Sequence, residues 1–234
     1  HNNHLKNRIL VIFMLDFYHH CWNIFKLLCS LSNQPKLFHM VSFISSLFIL
    51  PVIVSGLVLI LPKKLSRVLV IATAVILTAL SLYLFVSIDQ PLKFSAPEYL
   101  NQVVVGADFL LLLFFAWVAI KRKSLLVGVM TLLQLGASIY LLQNAGAENT
   151  VQFMFDKLSL FMFLLINVIS SIICIFSLKY IDEEDCSEFR KKYFLSILFW
   201  FIAAMNLVVS SDNLEYFFLF FELTTLASFL LIAF

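Results

Sequence analysis

Seven long apolar runs follow one another along the chain, separated by short polar connectors: Phe43 to Leu61, Val68 to Ser87, Val103 to Ile120, Leu125 to Gln143, Leu158 to Leu178, Tyr193 to Ser210 and Tyr216 to Phe234. Each is close to the roughly 20 residues that an α-helix needs to cross the hydrocarbon core of a bilayer. The runs are continuous where a transmembrane β-strand would alternate, which excludes a membrane β-barrel. The pattern therefore predicts an all-α, polytopic membrane protein with about seven transmembrane helices. Pro51 falls inside the first of them and is expected to kink it. Composition agrees: 62% of the 234 residues are hydrophobic and 13% charged, against roughly 45–50% and 25% in a soluble domain.

The charges sort by connector. Lys63, Lys64 and Arg67 follow the first run, Lys121, Arg122 and Lys123 the third, and Lys179, Arg190, Lys191 and Lys192 the fifth, whereas the intervening connectors hold only Lys93 and Lys157. Such an asymmetry in short loops places the basic connectors in the cytoplasm and the residues before Phe43 outside it, in a cell inner (cytoplasmic) membrane. Tyr83, Trp117, Tyr140, Tyr180, Tyr193 and Tyr216 lie at the ends of runs, as an interfacial aromatic belt requires. A net charge of +2, with the basic residues dispersed over loops, gives no nucleic-acid footprint.

Composition changes at Met40. All five histidines and two of the four cysteines precede it. Residues 1–39 are expected to be an atypical segment, either an interfacial amphipathic helix over about Arg8 to Leu31 or upstream sequence read through ahead of a start at Met40. Residues 40–154 would hold four helices and residues 155–234 the remainder, with Phe234 ending inside an apolar run as a fragment would.

In a membrane chain the informative side chains are the ionisable ones inside the hydrocarbon, because each costs several kcal/mol and persists mainly for function. Glu222 is one, about 13 Å along a helix that starts at Asn213. Burial there disfavours the charged form unless a cation or water stands beside it, which suits a proton acceptor. Thr225 shares its face, and Thr224 and Ser228 lie on an adjoining stripe. Asn167, Ser170, Ser171, Ser196 and Asn206 in the two preceding helices hold water or, the commoner role, bond helices together. Asp108 is the other intramembrane acid, expected near the outer interface about five residues into its helix. No histidine follows Met40 to ligate haem, and Cys21, Cys29, Cys174 and Cys186 form no C-x-x-C pair for zinc or an iron-sulfur cluster. Phosphate loops and nucleophile elbows are also missing. No metal site, no cofactor and no redox chemistry are expected in this chain.

The stretch from Phe155 to Phe234 carries a more specific signal. Asp156-Lys-Leu-Ser-Leu-Phe-Met162 opens a helix, Tyr180 lies near its end, an acidic connector follows, and Ser211-Asp-Asn-Leu214 leads into Phe221-Glu-Leu-Thr-Thr-Leu-Ala-Ser-Phe-Leu-Leu-Ile232. This resembles the antiporter-like membrane subunits of respiratory complex I, most closely the large one called subunit L or chain 5. The same family includes the ion-translocating subunits of energy-converting membrane-bound hydrogenases, formate hydrogenlyase and Mrp-type sodium/proton antiporters. The resemblance implies that Glu222 lies on the proton path and pairs with a lysine on a later helix. It also implies that the chain alone translocates nothing. Between Ser87 and Phe155 the sequence departs from the complex I pattern with an inserted helix pair divided by Lys121-Arg-Lys123. The expected function is proton or sodium translocation coupled to a partner's redox reaction, within an NADH:quinone oxidoreductase or hydrogenase complex of other membrane and peripheral subunits. The alternative is a free-standing cation/proton antiporter whose Glu222 binds the coupling ion.

Overall fold

The computed structural model describes residues 35–88, 90–95, 98–122, 125–144, 152–183, 185 and 187–232. Over these residues the chain forms seven helices: α1 (Pro35–Ile60), α2 (Lys63–Ser87), α3 (Glu98–Arg122), α4 (Leu125–Asn144), α5 (Lys157–Glu183), α6 (Glu188–Ser210) and α7 (Leu214–Ile232). Two short strands interrupt the series, β1 (Leu92–Phe94) and β2 (Phe153–Phe155). Six of the helices are long and apolar enough to cross a membrane, and α4 contributes a shorter apolar stretch over Gly128–Tyr140. The protein is a multi-pass membrane protein. Several helices begin before the apolar runs do: α6 takes in Glu188 to Lys192, capped by Ser187, whose side chain accepts from the Arg190 N–H at 3.4 Å. α1 starts at Pro35, so the compositional change at Met40 does not mark a helix boundary. The interfacial helix expected over about Arg8 to Leu31 lies outside the described residues, as do Cys21, Cys29 and Cys186.

α1, α2, α5 and α6 form the packed body, with α2 against α5 and α1 against α6. Leu47, Leu77, Phe163, Phe199 and Ile202 fill its centre. Small polar residues sit where these helices meet. Ser55 and Ser196 share a 2.9 Å hydrogen bond between α1 and α6, and Ser171 donates to the Ala74 carbonyl at 2.8 Å and lies 2.9 Å from the Thr78 hydroxyl. Asn167 and Asn206 join α5 to α6, the Asn167 Nδ2 donating to Asn206 Oδ1 at 3.2 Å. In hydrocarbon such groups have no water to bond, so each finds a partner on its neighbour and lets the backbones approach closely. Outward positions such as Leu110, Leu113, Ile120, Ile172 and Phe176 stay exposed, as a lipid-facing surface should. Tyr83, Trp117, Tyr140, Tyr180 and Tyr193 also face outward, and the Lys121 ammonium sits 4.6 Å from the centre of the Trp117 ring.

The two ends of the bundle differ. At one end β1 and β2 pair antiparallel, Lys93 opposite Met154, and Phe153 bridges to Ser211. The Asp212 N–H donates to the Gln152 carbonyl at 2.9 Å, so the connectors before α3, α5 and α7 are stitched together there. At the other end the Lys63 ammonium lies 2.9 Å from Asp182 and 3.4 Å from Glu188, and Arg67 pairs with Asp182. Exposed pairs of this kind add little stability, yet they show that the α1–α2 and α5–α6 connectors share an end.

Asp156 caps α5. Its Oδ1 accepts the Ser159 N–H at 2.7 Å, and that bond holds the carboxyl below the usual carboxylate range. Replacing Asp156 by Ala is expected to cost about 1 kcal/mol at neutral pH. Because the folded-state pKa is the lowered one, the cap contributes fully above about pH 4 and fades as pH falls through the folded value. The gap in unfolding midpoint between wild type and Asp156→Ala should therefore narrow in acid, and a gap that stays constant with pH would refute the charged cap.

Candidate functional site

α7 carries Glu222 eight residues past its start at Leu214, about 12 Å along the helix axis. The side chain is turned inward, 6% exposed, and neither carboxyl oxygen has a hydrogen-bond partner among the described residues. The hydroxyls nearest in sequence do not serve it. Thr224 and Thr225 donate to the Phe221 carbonyl at 2.7 and 3.1 Å, and Ser228 to the Thr224 carbonyl at 2.8 Å. Ser and Thr in an apolar helix satisfy themselves this way on the preceding turn. Asn206 is buried and committed to Asn167 on α5. The structure thus isolates Glu222 from the polar residues that its sequence neighbourhood offers.

A second intramembrane acid, Asp108, stands on α3, which packs against α7. α3 begins at Glu98, five residues before the apolar run, so Asp108 stands ten residues into its helix. Its Oδ2 accepts from the Ser138 hydroxyl of α4 at 3.0 Å, while Oδ1 is buried without a partner among the described residues. Asp108 falls between Val104 and Leu111 of α3, and Glu222 just past Leu219 and Phe220 of α7, and these four flanking residues pack in one cluster. Two features set this juxtaposition. α3 and α7 both start at the strand end of the bundle, and the Tyr216 hydroxyl donates to Asn101 Oδ1 at 2.7 Å. Asp108 is seven residues beyond Asn101 and Glu222 six beyond Tyr216, so both carboxyls rise about 10 Å above that bond.

Tyr216, expected in the aromatic belt, is therefore a correction: it is fully buried, its ring edge-on to Phe153 at 5.5 Å and Phe220 at 6.0 Å. A belt residue needs a lipid-headgroup face, and here the hydroxyl finds Asn101 instead. Val104, Leu111, Leu219 and Phe220 pack around it and complete the α3–α7 contact.

Residues 142–194 match the family described as NADH-ubiquinone oxidoreductase (complex I), chain 5 N-terminus. The chain is similar to an antiporter-like subunit of the chain 5 type. Its relatives include the NADH-ubiquinone oxidoreductase chain 5 of Chondrus crispus, 38% identical over 82 residues, which make up 35% of this chain and 12% of that protein. The Na(+)/H(+) antiporter subunit A1 of Staphylococcus haemolyticus is 40% identical over 79 residues, 34% of this chain and 9% of that protein. The similarity thus spans only about a tenth of either relative's length. No solved structure matches the chain at a comparable level. The chain 5 match takes in α5 and the first turns of α6 and ends before α7, so Glu222 lies beyond it.

Proposed function

We propose that this chain belongs to an ion-translocating membrane subunit that moves protons or sodium ions, with Glu222 as the carboxyl that binds the ion in transit. The observation that carries the reading is Glu222 itself: an acid 6% exposed, with both oxygens unbonded among the described residues, midway along an apolar helix that follows a chain 5-like segment. A carboxyl left unpaired in hydrocarbon is costly. A structural role gives no reason to leave both oxygens unbonded, whereas a group that repeatedly takes up and releases a cation needs them available. One of the two relatives is named as a sodium/proton antiporter subunit, a name that itself denotes ion movement. A partner's redox reaction drives the movement, in a host of the complex I or hydrogenase type with further membrane and peripheral subunits. Ion uptake by inverted vesicles containing the whole complex tests the reading: Glu222→Gln should abolish it with assembly intact, and uptake at the wild-type rate would overturn it.

The charge asymmetry supports a topology with the Lys63, Lys121 and Lys191 end in the cytoplasm and the β1–β2 end outside, in the cell inner membrane. In a background without native cysteines, Lys93→Cys should react with an impermeant thiol reagent added outside intact cells, and Lys121→Cys only after the membrane is opened. The reverse labelling would invert the topology.

A further inference from the structure

The α3–α4 helix pair brings a second intramembrane acid to the site, and the proposed role of Glu222 makes no use of it. Asp108 lines a cavity of about 20 Å³ with Val104, Phe109, Ser138, Glu215 and Phe218, and that is room for a water molecule. Glu215 sits in the first turn of α7, at the strand end of the bundle. Glu215, Phe218 and Glu222 recur at helical spacing along one stripe of α7, so Glu222 lies one turn deeper than the cavity wall. Glu222 holds its unbonded, buried carboxyl on the helix that the Tyr216–Asn101 bond sets beside α3, at the level of Asp108. Glu215 therefore stands at the membrane edge beside Tyr216, and Asp108 and Glu222 lie about 10 Å further in at a common level.

We propose that Asp108 is a second proton-carrying carboxyl on the ion path, exchanging protons between the cavity beside Glu215 and Glu222. The inference rests on the assignment of Glu222. In the step, the O–H bond of protonated Asp108 breaks and an O–H bond forms on the Glu222 carboxylate through an intervening water. Negative charge moves to Asp108, which is then reprotonated from the cavity. Nothing is oxidised or reduced. Ser138 is a positioning residue: by donating to Oδ2 it leaves Oδ1 as the oxygen that carries the proton.

The test uses the complete complex in vesicles. Asp108→Asn should lower proton uptake by about tenfold or more, the scale of losing one proton-transfer group, while Asp108→Glu should keep part of it. Normal uptake in Asp108→Asn beside lost uptake in Glu222→Gln would overturn the role of Asp108 and leave that of Glu222 standing. Normal uptake in both variants would remove the Glu222 assignment as well. If Asp108→Asn fails to assemble, wild-type complex treated with a hydrophobic carbodiimide, which modifies protonated carboxyls in apolar surroundings, decides the matter. Modification of Asp108 is expected, and label on Glu222 without label on Asp108 would overturn the proposal.

Discussion

Glu222→Gln should eliminate ion movement, by about two orders of magnitude or more if proton transfer at this carboxyl is obligatory. Gln keeps the volume and hydrogen-bonding capacity of Glu but cannot accept and release a proton, so the variant separates chemistry from packing. Packing has little to lose, since neither Glu222 oxygen bonds a neighbour among the described residues. Assembly and thermal stability should stay at or slightly above wild type, because removing an ionisable group from an apolar site removes its desolvation cost. Glu222→Asp should retain partial activity: the carboxyl survives, drawn back toward α7 by one methylene. Glu222→Leu should assemble and be as inactive as Gln. This combination, inactivity with undiminished stability, is what a merely structural carboxyl would not produce. Loss of assembly in Gln with activity preserved in the residual complex would point to helix bonding instead.

The largest stability effect is expected at Phe199. This ring is completely buried on α6, within the cluster that joins α1, α2, α5 and α6. In a water-soluble core Phe→Ala costs roughly 3–5 kcal/mol, part transfer and part cavity. In a bilayer the transfer part largely vanishes, since the separated helices present the ring to lipid tails as apolar as the core. The cavity and its lost dispersion contacts remain, and Phe199→Ala should cost about 2–3 kcal/mol. Phe176→Ala, at a position 69% exposed on the lipid-facing side of α5, should stay within about 0.5 kcal/mol. Unfolding in mixed micelles measures both. Equal losses at the two positions would mean that the four-helix body does not pack as described.

Helix number, approximate bounds and membrane character were legible from the runs of apolar residues, because a bilayer demands about 20 such residues per crossing and leaves few alternatives. The β1–β2 ledge was not legible. Three residues such as Phe153-Met-Phe155 are too short to display a strand period and read as the approach to a helix.

Glu222 could be singled out from the chain by itself, since an acid within an unbroken apolar run is visible without any partner. Its surroundings could not. Spacing along α7 offered Thr224, Thr225 and Ser228, but helical hydroxyls close on their own backbone, and Asn206 went to Asn167. Asp108 was visible as the second intramembrane acid, but the start of its helix was hidden in the mixed polar stretch from Glu98 to Gln102. Sequence determined which side chains were costly to bury. Which of them meet was decided by tertiary structure: the hydrogen bond that sets α3 and α7 in register joins Tyr216 to Asn101, 115 residues apart along the chain. A contact over that separation leaves no trace in local periodicity, because helical spacing relates a residue only to its neighbours within a turn or two.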